Sequence, residues 1–351
     1  MNPANFSRLR RPGRLRCVRT ARCALAMAVI VTGAAANAAE LAGAGPATIL
    51  EGRKLWDAAP HNAFTDLTRF GGRFVCVFRE GSGHVSPDGA VRVLVSPDGR
   101  DWTSVARLTL AGADLRDPKV VVTPSGQLML TATAVRRQPD KTTHQTLAWF
   151  AATPAHWGEP VTIGETNFWL WRVTWQGDTC YGVGYDTLGE HSVRLYRSSD
   201  GRHFAALVPD LFDRERPNET SLVFLSDATG LCLLRRDGDP GHGLLGRARP
   251  PYTEWTWQDV GAKIGGPHLL ALPDGRLVAA VRLYNGQVRT SLVWIEPTTG
   301  QLTELLKLPS GGDTSYAGLA WYEATLWVSY YSSREGRTAI YLARVKLPPA
   351  G

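Results

Sequence analysis

Six stretches of the chain repeat one order of apolar and polar positions. Each opens on a two-residue turn, runs through strand-forming residues and ends on a polar or aromatic ninth residue. They begin at Gly71, Ser125, Gly177, Asp227, Asp274 and Glu323 and read GGRFVCVFR, SGQLMLTAT, GDTCYGVGY, DATGLCLLR, DGRLVAAVR and EATLWVSYY. Their fourth positions (Phe74, Leu128, Cys180, Gly230, Leu277, Leu326) are 54, 52, 50, 47 and 49 residues apart. A repeat of that length suits a four-stranded propeller blade. Before each copy lies another strand-like stretch: His61–Phe70, Leu115–Pro124, Phe168–Gly177, Pro217–Ser226, Gly265–Pro273 and Asp313–Tyr322. The first strands are apolar at consecutive positions, as burial on both faces between neighbouring blades requires. No segment sustains helical spacing. The expected fold is all-β, a six-bladed β-propeller, and Ala47–Trp56 offers a strand to close its last blade.

Hydrophobic residues make up 44% and charged residues 20% of the 351, which excludes a disordered or low-complexity chain. The formal charge of +7 is misleading: residues 1–38 hold seven arginines and no acid, so the remainder is neutral. A basic surface for nucleic acid is therefore not expected. Those arginines precede the apolar run Ala24–Ala36 and the triplet Ala36-Asn37-Ala38, the layout of a secretory signal peptide. The run is 13 residues, against the about 20 that a bilayer needs. The expected organisation is a signal peptide over 1–38, a linker able to supply a closing strand over 39–55, and the propeller over 56–348. The protein is expected in the periplasm or secreted, and not as an integral membrane protein. Cys17 and Cys23 leave with the signal. Cys76, Cys180 and Cys232 sit in apolar runs and read as core thiols.

Two turns, Ser96-Pro97-Asp98-Gly99-Arg100-Asp101-Trp102 and Ser198-Ser199-Asp200-Gly201-Arg202-His203-Phe204, share the form Ser-x-Asp-Gly-x-x-aromatic. Aspartate can bind the amides of such a turn and glycine supplies its unusual dihedral. The ninth positions of the six copies are Arg79, Thr133, Tyr185, Arg235, Arg282 and Tyr331. Antiparallel pairing brings them beside the polar starts of the first strands: His61-Asn62, Arg116-Asp117, Asn218-Glu219 and Thr314-Ser315-Tyr316. Three arginines converging on one mouth suit a planar carboxylate, and pairing with nearby acids is the plainer alternative.

Taken together, these residues resemble the bacterial exo-α-sialidases and their sialidase-like relatives, six-bladed propellers with Asp-box (BNR) turns. The resemblance runs over nearly all of residues 56–347. Asn218-Glu219 with Arg235 sixteen residues on is similar to the family's segment carrying the glutamate base and the second arginine of its triad. Arg282 with Tyr316 thirty-four residues on resembles the third arginine and the nucleophilic tyrosine. The resemblance implies a retaining hydrolase of glycans ending in a carboxylated, sialic-acid-like sugar, with Tyr316 as nucleophile activated by Glu219. Arg235 and Arg282 would clamp the carboxylate, and Asp117, Asn218 and His61 would touch the sugar. The chain departs from the pattern twice. His61-Asn62-Ala63 stands where the first triad arginine belongs, and Arg79 is the substitute expected from the neighbouring strand. The stretch where the family carries its acid/base aspartate holds His84, which can donate a proton near neutral pH. Asp88 reads as a turn residue. Trp169 and Trp171 suit either a sugar-stacking wall or blade packing. No His/Cys/Asp group has metal-ligand spacing, so neither metal nor cofactor is expected. A glycan-binding propeller and a scaffold propeller remain alternatives to the enzyme.

Overall fold

In the computed structural model, which describes residues 46–350, tight turns fold the chain into successive four-stranded antiparallel blades. Blade 1 comprises His61–Phe70, Arg73–Gly81, Ala90–Ser96 and Thr103–Leu108, and blade 2 Asp114–Val122, Leu128–Arg137, Thr142–Ala151 and Val161–Thr162. Blade 3 follows with Phe168–Gln176, Thr179–Asp186, Val193–Ser198 and Ala205–Phe212. Blade 4 takes Pro217–Phe224, Gly230–Arg236, His242–Ala248 and the start of Thr256–Ala271. That long strand then runs on as the innermost strand of blade 5, ahead of Leu277–Leu283, Arg289–Ile295 and Leu302–Lys307. Blade 6 joins Thr314–Tyr322, Thr325–Ser332 and Ala339–Lys346 to Thr48–Trp56, so the two ends of the described chain share one sheet. Neighbouring innermost strands touch around the whole ring. No α-helix occurs among the described residues, and so no helix there is long and apolar enough to cross a membrane.

The apolar core is not central. It is divided into six layers, one between each pair of adjacent blades. Between blades 1 and 2, for example, Val75, Val77 and Val93 meet Leu115, Leu128 and Leu130. This is why the consecutive apolar positions of the repeats read as they do: each sheet has a blade on either side. Cys76, Cys180 and Cys232 are buried free thiols in these layers. Between the third and fourth strands of blades 1 and 3, Asp98 and Asp200 close their turns as the spacing predicts. Asp98 Oδ1 accepts from the amides of Arg100 (2.8 Å) and Asp101 (3.3 Å), and Asp200 Oδ1 from those of Arg202 and His203 (both 2.8 Å). The proposed signal segment, with Cys17 and Cys23, lies outside the described residues.

Candidate active site

Every innermost strand loses register with its partner at one equivalent point: after Ala63, Arg116, Leu170, Pro217, Gly265 and Ser315. A bulge turns an extra side chain out of the ladder, and bulges recur beside active sites for that reason. Here the extra residues include Phe64, Asp117, Trp171, Glu219, Gly266 and Tyr316. Phe64, Asp117 and Tyr316 have positive φ (60°, 50° and 50°), a conformation that aspartate tolerates and that costs energy in the two aromatic residues. Gly266 also has positive φ, and a Cβ there would lie 2.8 Å from Cδ2 of Tyr316, so only glycine leaves room for the tyrosine ring.

The bulges open on a cavity of about 270 Å³ lined by Tyr316, Glu219, Asp117, His84, Arg116 and Arg137, with Phe64, Trp169 and Tyr185 as aromatic walls. Tyr316 Oη donates to Glu219 Oε1 at 2.6 Å. Glu219 Oε2 accepts from Arg235 Nη1 and from the Gly266 amide, both at 2.8 Å, and Arg235 Nη1 also reaches Tyr316 Oη at 3.2 Å. Burial, reinforced by the Glu219 charge, holds the Tyr316 phenol well above its ordinary range, so it is protonated at rest. Asp117 is buried, and its Oδ1 has no partner. Burial pushes this carboxyl up to about 6; the charges of Arg116, Lys119 and Arg79 oppose the shift and that of Glu219 adds to it. One cavity thus holds a phenol on a carboxylate base and a second carboxyl kept protonated into mildly acidic solution.

Close in sequence to the bulges of blades 1, 2 and 3 lie the buried charges Asp66, Lys119 and Arg172. Arg172 binds Asp66 through both terminal nitrogens (3.0 and 3.2 Å), and Asp66 also accepts from the Val120 amide. Trp171 is buried, with the Lys119 ammonium 4.9 Å from its ring centre and the Tyr316 ring in a T-shaped contact with it. Trp169, stacked on Tyr185 with ring centres 5.8 Å apart, is the tryptophan that faces the cavity.

The structure corrects three expectations. Arg79 does not face the opening: its guanidinium is wholly buried, with Nε on Asp114 Oδ1 (2.8 Å), Nη1 on the Gly83 carbonyl (2.9 Å) and Nη2 on Ser86 Oγ (2.9 Å). It fastens the loop that carries His84. Arg79→Ala leaves the buried Asp114 short of its main cation, and urea unfolding is expected to show a loss of about 3 kcal/mol. Asn218, expected at the sugar, spends its amide internally, Nδ2 on Asp237 (2.9 Å) and Oδ1 on the Glu219 amide (2.7 Å), and so orients the base. The third correction concerns the carboxylate clamp. Arg235 lies between Glu219 and Asp237, and Arg282 is held by Asp313 Oδ1 (3.2 Å), Tyr331 Oη (3.0 Å) and the Thr314 carbonyl. Both flank Tyr316, Arg282 lying 5.3 Å from its ring centre, but each already has an internal acid. The guanidinium groups that line the cavity are Arg116 and Arg137, which share the buried Asp114 at 3.5 and 3.4 Å.

Two of the expected residues meet in a way that no spacing suggests. His84 Nδ1 lies 2.9 Å from Asp313 Oδ2, and His61 Nε2 lies 3.6 Å from the same oxygen. The sequence shows no ligand cluster because these residues belong to three separate segments, two in blade 1 and one at the start of blade 6.

Solved structures share the fold. A protein of unknown function from Dyadobacter fermentans is 17% identical over 86% of this chain and 99% of its own, with a TM-score of 0.72. The GH93 α-L-arabinofuranosidase of Fusarium graminearum, solved with arabinobiose, is 11% identical over 86% and 98%, with a TM-score of 0.67. A mutant of Trypanosoma rangeli sialidase displaying trans-sialidase activity is 11% identical over 86% of this chain and 59% of its own, with a TM-score of 0.60. No protein-family model and no curated protein matches the chain. At these identities the likeness establishes the sialidase-like propeller fold, and function has to be read from the site.

Proposed function

We propose that this chain is an exported, retaining glycoside hydrolase that removes a terminal sugar from a glycan. The observation that carries this reading is the 2.6 Å contact between Tyr316 and Glu219, made inside a cavity that also holds the protonatable Asp117. Glu219 accepts the phenolic proton as Tyr316 attacks the anomeric carbon, while Asp117 gives its proton to the departing oxygen. Water then cleaves the tyrosyl glycoside, with Asp117 as the base. Tyr316 is less buried than Glu219, as suits the member of the pair that reaches the sugar. Asp117 takes the acid role first assigned to His84, because it is the carboxyl whose surroundings favour the neutral form.

The sugar is read as carboxylated and sialic-acid-like. A neutral phenol is not repelled by a substrate carboxylate as a carboxylate nucleophile is, and Arg116 and Arg137 stand in the cavity wall to meet one. One observation favours a second reading, a neutral sugar. The lining cations Arg116 and Arg137 already share Asp114, and Arg235 and Arg282 are held by Asp237 and Asp313. A panel of fluorogenic glycosides separates the two: α-sialosides turn over under the first reading, α-L-arabinofuranosides or other neutral glycosides under the second. Nuclear magnetic resonance of the first-formed anomer should show retention in either case. Binding without turnover of any member rejects the hydrolase and leaves a glycan-binding propeller.

A further inference from the structure

We propose that His61, His84 and Asp313 bind one divalent transition-metal ion of the zinc class at the rim of the cavity. One nitrogen from each imidazole and one carboxylate oxygen lie within 4.8 Å of one another. His61 is 8% exposed; neither ring nitrogen makes a hydrogen bond, and Nε2 has only the 3.6 Å approach to Asp313 Oδ2. An imidazole buried without a partner is costly, and a bound ion removes that cost. The carboxylate is set up for the same purpose. Its Oδ1 is taken by Tyr331 (2.6 Å) and Arg282 (3.2 Å), which leaves Oδ2 to the two histidines. Outer contacts that fix one oxygen of a ligating carboxylate are a regular feature of metal centres.

Two imidazoles and a carboxylate suit zinc, cobalt or nickel, whereas calcium and magnesium call for an all-oxygen set. Three protein ligands leave room for water or a sugar hydroxyl, and His84 lies on the cavity wall. The proposal does not rest on the hydrolase reading, since it concerns uptake of an ion and not turnover.

The test uses the full chain, freed of metal with a chelator, and Zn²⁺ or Co²⁺ alone as the probe. Calorimetry is expected to show one Zn²⁺ bound per chain, and Co²⁺ to give visible d–d absorption. His84→Ala should weaken Zn²⁺ binding at least about tenfold and abolish the cobalt spectrum. Its side chain is half-exposed, so the variant should fold, as circular dichroism would verify. His61→Ala should do the same. No stoichiometric uptake by the wild type, or uptake that His84→Ala leaves unchanged, overturns the proposal; in the latter case His84 and Asp313 share only a proton.

Discussion

Tyr316→Phe is expected to lower kcat/KM at least roughly a thousandfold, since removing a nucleophile takes away the chemical step itself. The fold should survive. The ring packs against Phe64 and Trp171, contacts that phenylalanine keeps, and Glu219 retains its bonds from Arg235 and the Gly266 amide. Losing the hydroxyl should move Tm by no more than about 3 °C. Mass spectrometry of wild-type enzyme inactivated with a fluorinated glycosyl fluoride should place the label on Tyr316. A label on Glu219, or a variant that keeps a tenth of its activity, would show that the carboxylate attacks and that the phenol only positions it.

Asp117→Asn should reduce turnover by roughly 10²- to 10⁴-fold, most strongly for substrates with poor leaving groups. As the acid, Asp117 must carry a proton. In the wild type kcat/KM should therefore fall as pH rises through about 6, the value to which burial pushes this carboxyl against the pull of Arg116, Lys119 and Arg79. The variant lacks that alkaline limb. Stability should fall with rising pH as well. A carboxyl whose pKa is raised by folding adds stability while it is protonated, and the benefit is lost as pH climbs from its ordinary value, 3.8, towards 6. Above that window the ionised Asp117 weighs against the fold and asparagine does not, so Asp117→Asn should gain on the order of 2 kcal/mol at pH 8. Urea titrations at pH 4 and pH 8 would measure the difference. Equal stability at pH 8, or an alkaline limb that persists in the variant, would remove Asp117 from the acid role.

The architecture was largely legible because a blade repeats its turn and its doubly buried strands every fifty residues or so, and burial on both faces leaves continuous apolar runs in the sequence. Glu219 and Tyr316 were legible as well, each a polar residue at an equivalent strand start. What the arginines would pair with was not. The ninth-position arginines share a register, yet Arg79 turns inward to Asp114 while Arg235 and Arg282 meet Asp237 and Asp313, acids that lie near strand ends. Such partner choice depends on loop conformation, which a one-residue pattern does not encode. Asp114 and Arg137 were missed for the same reason, and Asp313 was seen only as part of a motif. A weak signal for the bulges existed: Pro118 and Pro267 sit where a proline cannot join the ladder.

Each reactive group sits on one displaced residue of its own blade, so most of the apolar layers carry none of the chemistry. A change at position 117 or 219 alters what the toroid can grip or break and leaves the apolar seams alone, whereas Phe64 and Tyr316 also pack in the seam between blades 6 and 1. Such a ring works as a tool holder with one socket per blade, in which the sockets of blades 4, 5 and 6 are fitted to one another through Glu219, Gly266 and Tyr316.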